Sequence, residues 1–443
     1  MIALTPIAQR LYKTIMSIPS YFETDPGIAL PPVKVHDVEA QPEKRPRTLK
    51  HLLKANHINY SLMYNHFLFD NHMPHLLCSA YALGATDQQL HHIYDELSAT
   101  LEQWTDPPAN ISENDWKLYL GDPEYQRGYV DFFEDELALK HEYEWKVVAD
   151  EFLYGGDHPF IDALICGLGH PMIHLAYAFE FASKEVGMEA LALTAVEYDF
   201  LHKYSADPSY VQPGDWQTQD PLEIFKRIYE DKRLDGYVKI KGVERPGGSN
   251  TTKALFDNHE ALLLEYWNAF DVTTDPLKAF ELSQQAAVQM LVSSVPDGVS
   301  PKEYDFFICH VLTTSHALRV LLPHIRKKYH VRLLRQWFLL AIIVYILQDR
   351  PKINTSLVSS RPLADGPRGE DKDWRYLDHL AITNAFSTDA HYVKAMRAIR
   401  EAAATWGDDE KMFLKAGVRL AEDFEGWFGF PPPPPDTLDP RSI

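Results

Sequence analysis

From residue 47 onward, apolar residues recur three and four positions apart, the period of helices with one buried face. The pattern predicts helices over 47–69, 74–83, 87–103, 125–153, 158–186, 188–204 and 219–232. It predicts a second set over 256–270, 275–294, 302–324, 328–348, 372–385, 387–405 and 408–428. Pro74 suits a first helical turn, and Gly84 suits a left-handed stop after Leu83. An acidic loop at 104–125, a Pro- and Gly-containing loop at 241–251 and a long segment at 350–371 interrupt the helices. Alternating strand patterns bounded by Asn-Gly or Asp-Gly turns are missing, and no repeat has a fixed period. The expectation is an all-α protein with a single large helical domain over 47–430.

Its flanks differ. Residues 1–46 hold seven prolines and little periodicity, which predicts an irregular Pro-rich arm, and 431–443 reads as a Pro-rich tail. The most apolar run, Trp337–Leu347, is 11 residues, short of the roughly 20 that span a bilayer, and reads as a buried core helix.

Composition narrows the function more than the fold. Apolar residues make up 45% and charged residues 24% of 443, an ordinary globular balance. The formal charge of −20 repels phosphate backbones and anionic lipid, so nucleic-acid partners and membrane insertion are not expected. Three scattered cysteines make neither a disulfide framework nor a zinc ribbon. The first residues lack a basic stretch followed by a long apolar core, so a cytoplasmic location is expected. Oligomeric state stays open.

The common nucleotide signatures are missing too. Gly167-Leu168-Gly169-His170-Pro171-Met172 lacks the third glycine of a dinucleotide turn, and no P-loop, G-x-S-x-G or H-E-x-x-H occurs. Redox chemistry, if present, is thereby pushed toward a metal.

Twenty histidines is a high count for this length. Four segments place histidine on predicted helices: NHMPH around His72, GLGHPMIH around His170, FICHVLT around His310 and DAHYVK around His391. Imidazole is the commonest metal ligand, and ligands on facing helices converge in a bundle core. A lone buried histidine is more often a hydrogen-bonded core residue, so four together are suggestive without being diagnostic. His391 and Lys394 share a helical face, as do His170 and His174. His75, His174 and His316 are candidates for orienting the ligands or facing substrate. Histidines 51, 57, 66, 91, 92, 158, 202, 324, 330 and 379 lie in more polar or terminal contexts and read as surface or capping residues.

The motifs NHMPHLLCSAYALGA, GLGHPMIHLAYAFEF, CHVLTTSHALRVLLP and DAHYVKAMRAI occur in this order. Over roughly residues 50 to 430 the chain resembles the questin oxidase-like family of fungal polyketide pathways and its bacterial relatives. The resemblance implies oxidative ring opening of an anthraquinone-type aromatic polyketide. It implies either NADPH-dependent Baeyer–Villiger chemistry or a non-haem Fe²⁺ oxygenase using O2, with iron held by histidines and a carboxylated lysine. Mapped residue by residue, the family's motifs fall on Asn71, His72 and Pro74, on His170, on His310 and Thr313, and on Asp389, His391 and Lys394. The metal ligands it implies are His72, His170, His310, His391 and Lys394. Asn71, His75, His174, Thr313, His316 and Asp389 would surround them or face substrate.

That ligand set is physically coherent. Four neutral imidazoles leave a divalent charge uncompensated in a low-dielectric core, so an anionic ligand is required. No Asp or Glu shares a helical face with His72, His170 or His310. A buried Lys394 amine could add CO2 and become a carbamate with one negative charge. Phe69, Tyr177, Phe307 and Tyr392 would sandwich a planar ring system. The leading expectation is an iron-dependent ring-cleaving oxygenase with its site in the helical core. The alternatives are an NADPH-using monooxygenase and a non-catalytic helical binding protein.

Overall fold

A computed structural model describes residues 27–236, 249–364, 366 and 371–429. The expected tail at 431–443, the first part of the arm and most of the 241–251 loop lie outside the described residues. Helices carry the fold: α1 (Lys44–Asn59), α2 (Met73–Ala82), α3 (Asp87–Ser98), α4 (Gln126–Asp135), α5 (Trp145–Tyr154) and α6 (His170–Phe181). Then come α7 (Lys184–Val196), α8 (His202–Ala206), α9 (Pro221–Glu230), α10 (Ser249–Asn268), α11 (Pro276–Val292) and α12 (Phe306–Leu321). The last are α13 (His330–Leu347), α14 (Ser356–Ser359), α15 (Trp374–Ala381), α16 (Ala390–Trp406) and α17 (Met412–Asp423). Buried apolar side chains from Ile28 to Phe424 form one contiguous core, so the all-α expectation holds.

At the centre is α12. Every residue from Phe307 to Leu321 is buried, and the helix packs against α6, α11, α13 and α16. A helix apolar on all sides has no solvent face to present and must be surrounded. The same logic places α13. The stretch Lys327–Leu347 has the length and apolarity of a membrane span, and 94% of its apolar window is buried inside the protein.

Four departures from the sequence pattern shape the site. The helix expected over 47–69 ends at Asn59. Met63–Tyr64 (β1) and Phe69–Asp70 (β2) instead form an antiparallel hairpin whose turn, Asn65-His66-Phe67, is left-handed throughout. The Gln126 side chain grips Met63 by accepting from its N–H and donating to its carbonyl, a tertiary contact that overrides local propensity. The helix expected over 158–186 begins only at His170, after a left-handed Gly167-Leu168-Gly169 run. The helix expected over 125–153 is broken by a π turn at Glu136–Lys140. Finally, Glu303–Asp305 (β3) pairs in parallel with Gly426–Phe428 (β4), where the pattern had predicted helix in both places.

The described part of the arm packs as an irregular strap over 27–43, and its last three residues already belong to α1. His36 donates its backbone N–H to Glu180 in α6, and the Ile28 N–H is accepted by His330 Nδ1 at 2.9 Å. His330 is therefore a buried bridge between arm and α13, contrary to the surface role expected for it.

Candidate metal centre

Each of the four motif histidines sits where a helix begins or turns inward. Asp305 caps α12 by accepting from the N–H groups of Phe307 and Ile308 at 2.9 Å, which fixes the first turn and brings His310 inward one turn later. Asp389 caps α16 from the Tyr392 N–H at 2.8 Å, two residues before His391. Its second carboxylate oxygen accepts from the Trp427 indole at 2.9 Å, which ties β4 to the site. Asn71 accepts from the Met73 N–H and donates to Asn56 and to the Ser61 carbonyl, so it positions His72 at the start of α2. The left-handed Gly167-Leu168-Gly169 run aims His170, the first residue of α6, toward the other three.

The four rings converge through their Nε2 atoms. His72 and His170 are 3.1 Å apart, His170 and His310 3.2 Å, and His310 and His391 3.3 Å. All four donor atoms lie within 4.8 Å of one another. Three of the outward nitrogens are committed to carbonyls. His72 Nδ1 donates to Asp70 O at 2.6 Å, His170 Nδ1 to Gly167 O at 2.7 Å, and His310 Nδ1 to Phe306 O at 2.9 Å. A carbonyl only accepts, so each of these Nδ1 atoms carries the ring proton and each neutral Nε2 is a bare lone pair. Burial, then the charge of Lys394, push His72 and His391 well below the ordinary imidazole range, so protonation does not relieve the crowding. Lone pairs facing one another at such distances are mutually repulsive unless a cation lies between them. Metal–imidazole bonds of about 2.1 Å at right angles put neighbouring nitrogens about 3.0 Å apart, close to the spacing here. The residues therefore fit a divalent metal.

Two features around this cluster escaped the sequence reading. The Asp70 carboxylate, 2% exposed, lies 3.0 Å from His170 Nδ1 and so stands behind a ligand ring. It sits on the two-residue strand β2, off every helical face that carries a ligand. Such a partner fixes the ring and strengthens its basicity. The other is an aromatic wall. Phe306 lies 4.2 Å from the His391 ring and Trp427 lies 6.2 Å from it, both half-buried like His72.

The remaining predicted residues divide by location. Lys394, 1% exposed, has an Nζ with no hydrogen-bond partner, and burial lowers its pKa to about 8. It shares a small internal gap with Thr313, His316 and Tyr177. His316 is buried with neither ring nitrogen partnered. The Thr313 hydroxyl is turned to the His310 carbonyl, 3.4 Å away. His75 Nε2 meets His174 Nδ1 at 3.0 Å. Tyr177 stacks on His75 with its hydroxyl on Ser79, and Tyr392 is fully buried with its hydroxyl on Asn384, so both occupy the core. Phe69 packs on Tyr64 in the hairpin. Phe307 lines a cavity of about 210 Å³ together with Met63, Phe67, Gly167, Leu168 and Tyr198. That cavity abuts the centre through Gly167, whose carbonyl holds His170. His57, expected at the surface, is 4% exposed and bridges two carboxylates.

The chain is 25% identical over 391 residues to the Baeyer-Villiger oxidase mdpL of Emericella nidulans, covering 84% of this chain and 85% of that one. It is 25% identical to the oxidoreductase AflY of Aspergillus parasiticus (86% and 74% covered) and 23% identical to the questin oxidase of Aspergillus terreus (82% and 81% covered). The profile of the questin oxidase-like family matches residues 69–399, a stretch that holds all four histidines and Lys394, and the chain belongs to that family.

Proposed function

We propose that this protein is a non-haem iron oxygenase that cleaves a ring C–C bond of an anthraquinone-type polyketide. The observation that carries the reading is the convergence of four Nε2 atoms, three of them on rings whose Nδ1 faces a backbone carbonyl. The names of the relatives, oxidases or oxidoreductases, support an oxidoreductase. Bound among these nitrogens, iron would supply the activation of O2 that organic side chains lack.

The chain's own residues would do the rest. His72, His170, His310 and His391 would hold the metal, with Asp70 behind His170 offsetting part of its charge. Lys394, buried and unpartnered beside the cluster, would complete the set as a carbamate, an oxygen donor with one negative charge. Phe306 and Trp427 would orient a planar ring system against the half-buried side of the centre by edge and face contacts. The apolar walls around α12 would keep bulk water from the reacting carbon.

The printed names of several relatives favour a second reading, insertion of one oxygen atom beside a carbonyl. The two differ in electron balance. Ring cleavage that retains both oxygen atoms needs no external electrons, whereas single insertion consumes two electrons and two protons and releases water. Iron-loaded protein, a hydroxyanthraquinone or its hydroquinone, and ¹⁸O₂ distinguish them. The proposal expects two labelled oxygens per product and no stoichiometric NADPH oxidation. One labelled oxygen with one NADPH consumed per turnover would establish the second reading, and no turnover of either compound would remove both.

A further inference from the structure

Five buried or half-buried side chains that the proposed chemistry does not use form an unbroken hydrogen-bonded line, each from a different helix. Glu134 on α4 meets His57 Nε2 on α1 at 2.9 Å, and His57 Nδ1 meets Glu189 Oε1 on α7 at 2.9 Å. Glu189 Oε2 meets His174 Nε2 on α6 at 2.8 Å, and His174 Nδ1 meets His75 Nε2 on α2 at 3.0 Å. At one end the Glu134 side chain is 45% exposed, in contact with solvent. At the other, His75 is fully buried, its ring centroid 5.0 Å from that of His72 and 6.4 Å from that of His170. Its Nδ1 has no partner.

We infer that Glu134, His57, Glu189, His174 and His75 form a proton relay between solvent and the histidine centre. The inference rests on the reading that oxygen chemistry occurs at that centre. His57 and His174 are each bonded at both ring nitrogens, and Glu189 at both oxygens. The Glu189 carboxylate accepts from His57 on one oxygen and from His174 on the other, and His174 Nδ1 accepts from His75 Nε2, which leaves His75 Nδ1 as the proton acceptor facing the centre. When a proton arrives there, the His75 Nε2 proton passes to His174 Nδ1, the His174 Nε2 proton passes to Glu189, and the charged His57 gives its Nε2 proton to Glu134 and so to water. One proton enters at His75 and one leaves at Glu134, the total charge of the five groups is unchanged, and no electron moves. Stability alone does not call for this arrangement, because a buried ionic array is commonly no better than apolar packing of the same volume. Burial disfavours charge on His57, yet its bonds to Glu134 and Glu189 outweigh burial and raise it to about 10. The relay thus holds a proton one carboxylate away from solvent at neutral pH.

The test follows proton movement, not turnover. The full chain, selectively ¹⁵N-labelled at histidine, is transferred to D₂O, and exchange of the buried His174 ring N–H is timed by NMR. The inference expects exchange to slow by about a hundredfold in Glu134→Gln, a substitution at the solvent end that leaves the fold in place. His57→Gly should slow it similarly, and added imidazole should restore it by occupying the vacated place. Unchanged exchange in Glu134→Gln, or failure of imidazole to restore it in a folded His57→Gly, would overturn the relay. Because no substrate or metal turnover enters the measurement, its failure is distinct from failure of the proposed oxygenase.

Discussion

Lys394 carries the sharpest consequence at the scale of single residues. A buried amine without a hydrogen-bond partner is costly, and burial outweighs the nearby carboxylates of Asp389 and Asp70. As a metal-bound carbamate it would be both neutralised and partnered. Lys394→Ala should therefore lose metal or activity, and Lys394→Arg should fail to restore them, because a guanidinium stays cationic and cannot take up CO2. Metal content and turnover of the two variants check this, and an active, metal-replete Lys394→Arg protein would refute the carbamate. The sequence made the four histidines visible as helix-borne motifs and placed Lys394 on the face of His391, whereas the role of Lys394 as a ligand came only through family resemblance. Asp70 was invisible for a physical reason: its place behind His170 is set by a hairpin that Gln126, 56 positions along the chain, holds in register. His57 was read as a surface residue because its two carboxylate partners lie on helices far away in sequence.

Among the elements, the entry into α6 matters most. Gly169 has φ +80°, and a Cβ there would lie 2.4 Å from the Thr314 methyl on α12. Thr314 in turn bonds the His310 carbonyl at 2.6 Å, so a clash at this point would separate His170 from His310. Gly169→Ala should cost about 2–3 kcal/mol of stability and disturb metal binding. Gly84→Ala, also left-handed at φ +102° but with open space around it, should cost only about 1 kcal/mol and leave the metal in place. Urea denaturation of both variants compares them, and equal costs would show that the contact with α12 is unimportant. Periodicity located most helices because their apolar stripes are long. It overran at 60–69, where a hairpin held by Gln126 replaces the helix, and at 158–169, where the left-handed Gly167-Leu168-Gly169 run precedes a helix whose first turn carries Pro171.

For the whole molecule, the Glu134–His57–Glu189 array, with His57 and Glu189 buried, makes stability depend on pH. His57 is raised to about 10 from 6.5, so its contribution is fully present below pH 6.5 and is lost as pH climbs through 10. Glu189 has burial against its charge, but its bonds to His174 and His57 hold it at about 2, so its contribution is present above the usual value of 4.5 and is lost as pH falls through 2. Between about pH 4.5 and 6.5 both contributions are complete. His57→Gln should lower stability there and flatten the decline from pH 7 to 10, and urea midpoints with parallel slopes in both proteins would contradict the assignment. The all-α class was legible because apolar spacing reports on which faces are buried. The meeting of four distant segments at one point was not, since single-sequence periodicity says nothing about which helices pack together. That meeting is the central claim, and anomalous scattering at the iron edge tests it directly. In crystals of protein expressed with iron and purified without chelator, one strong peak should lie among the Nε2 atoms of His72, His170, His310 and His391. No peak there in a well-ordered crystal of active protein would contradict the account.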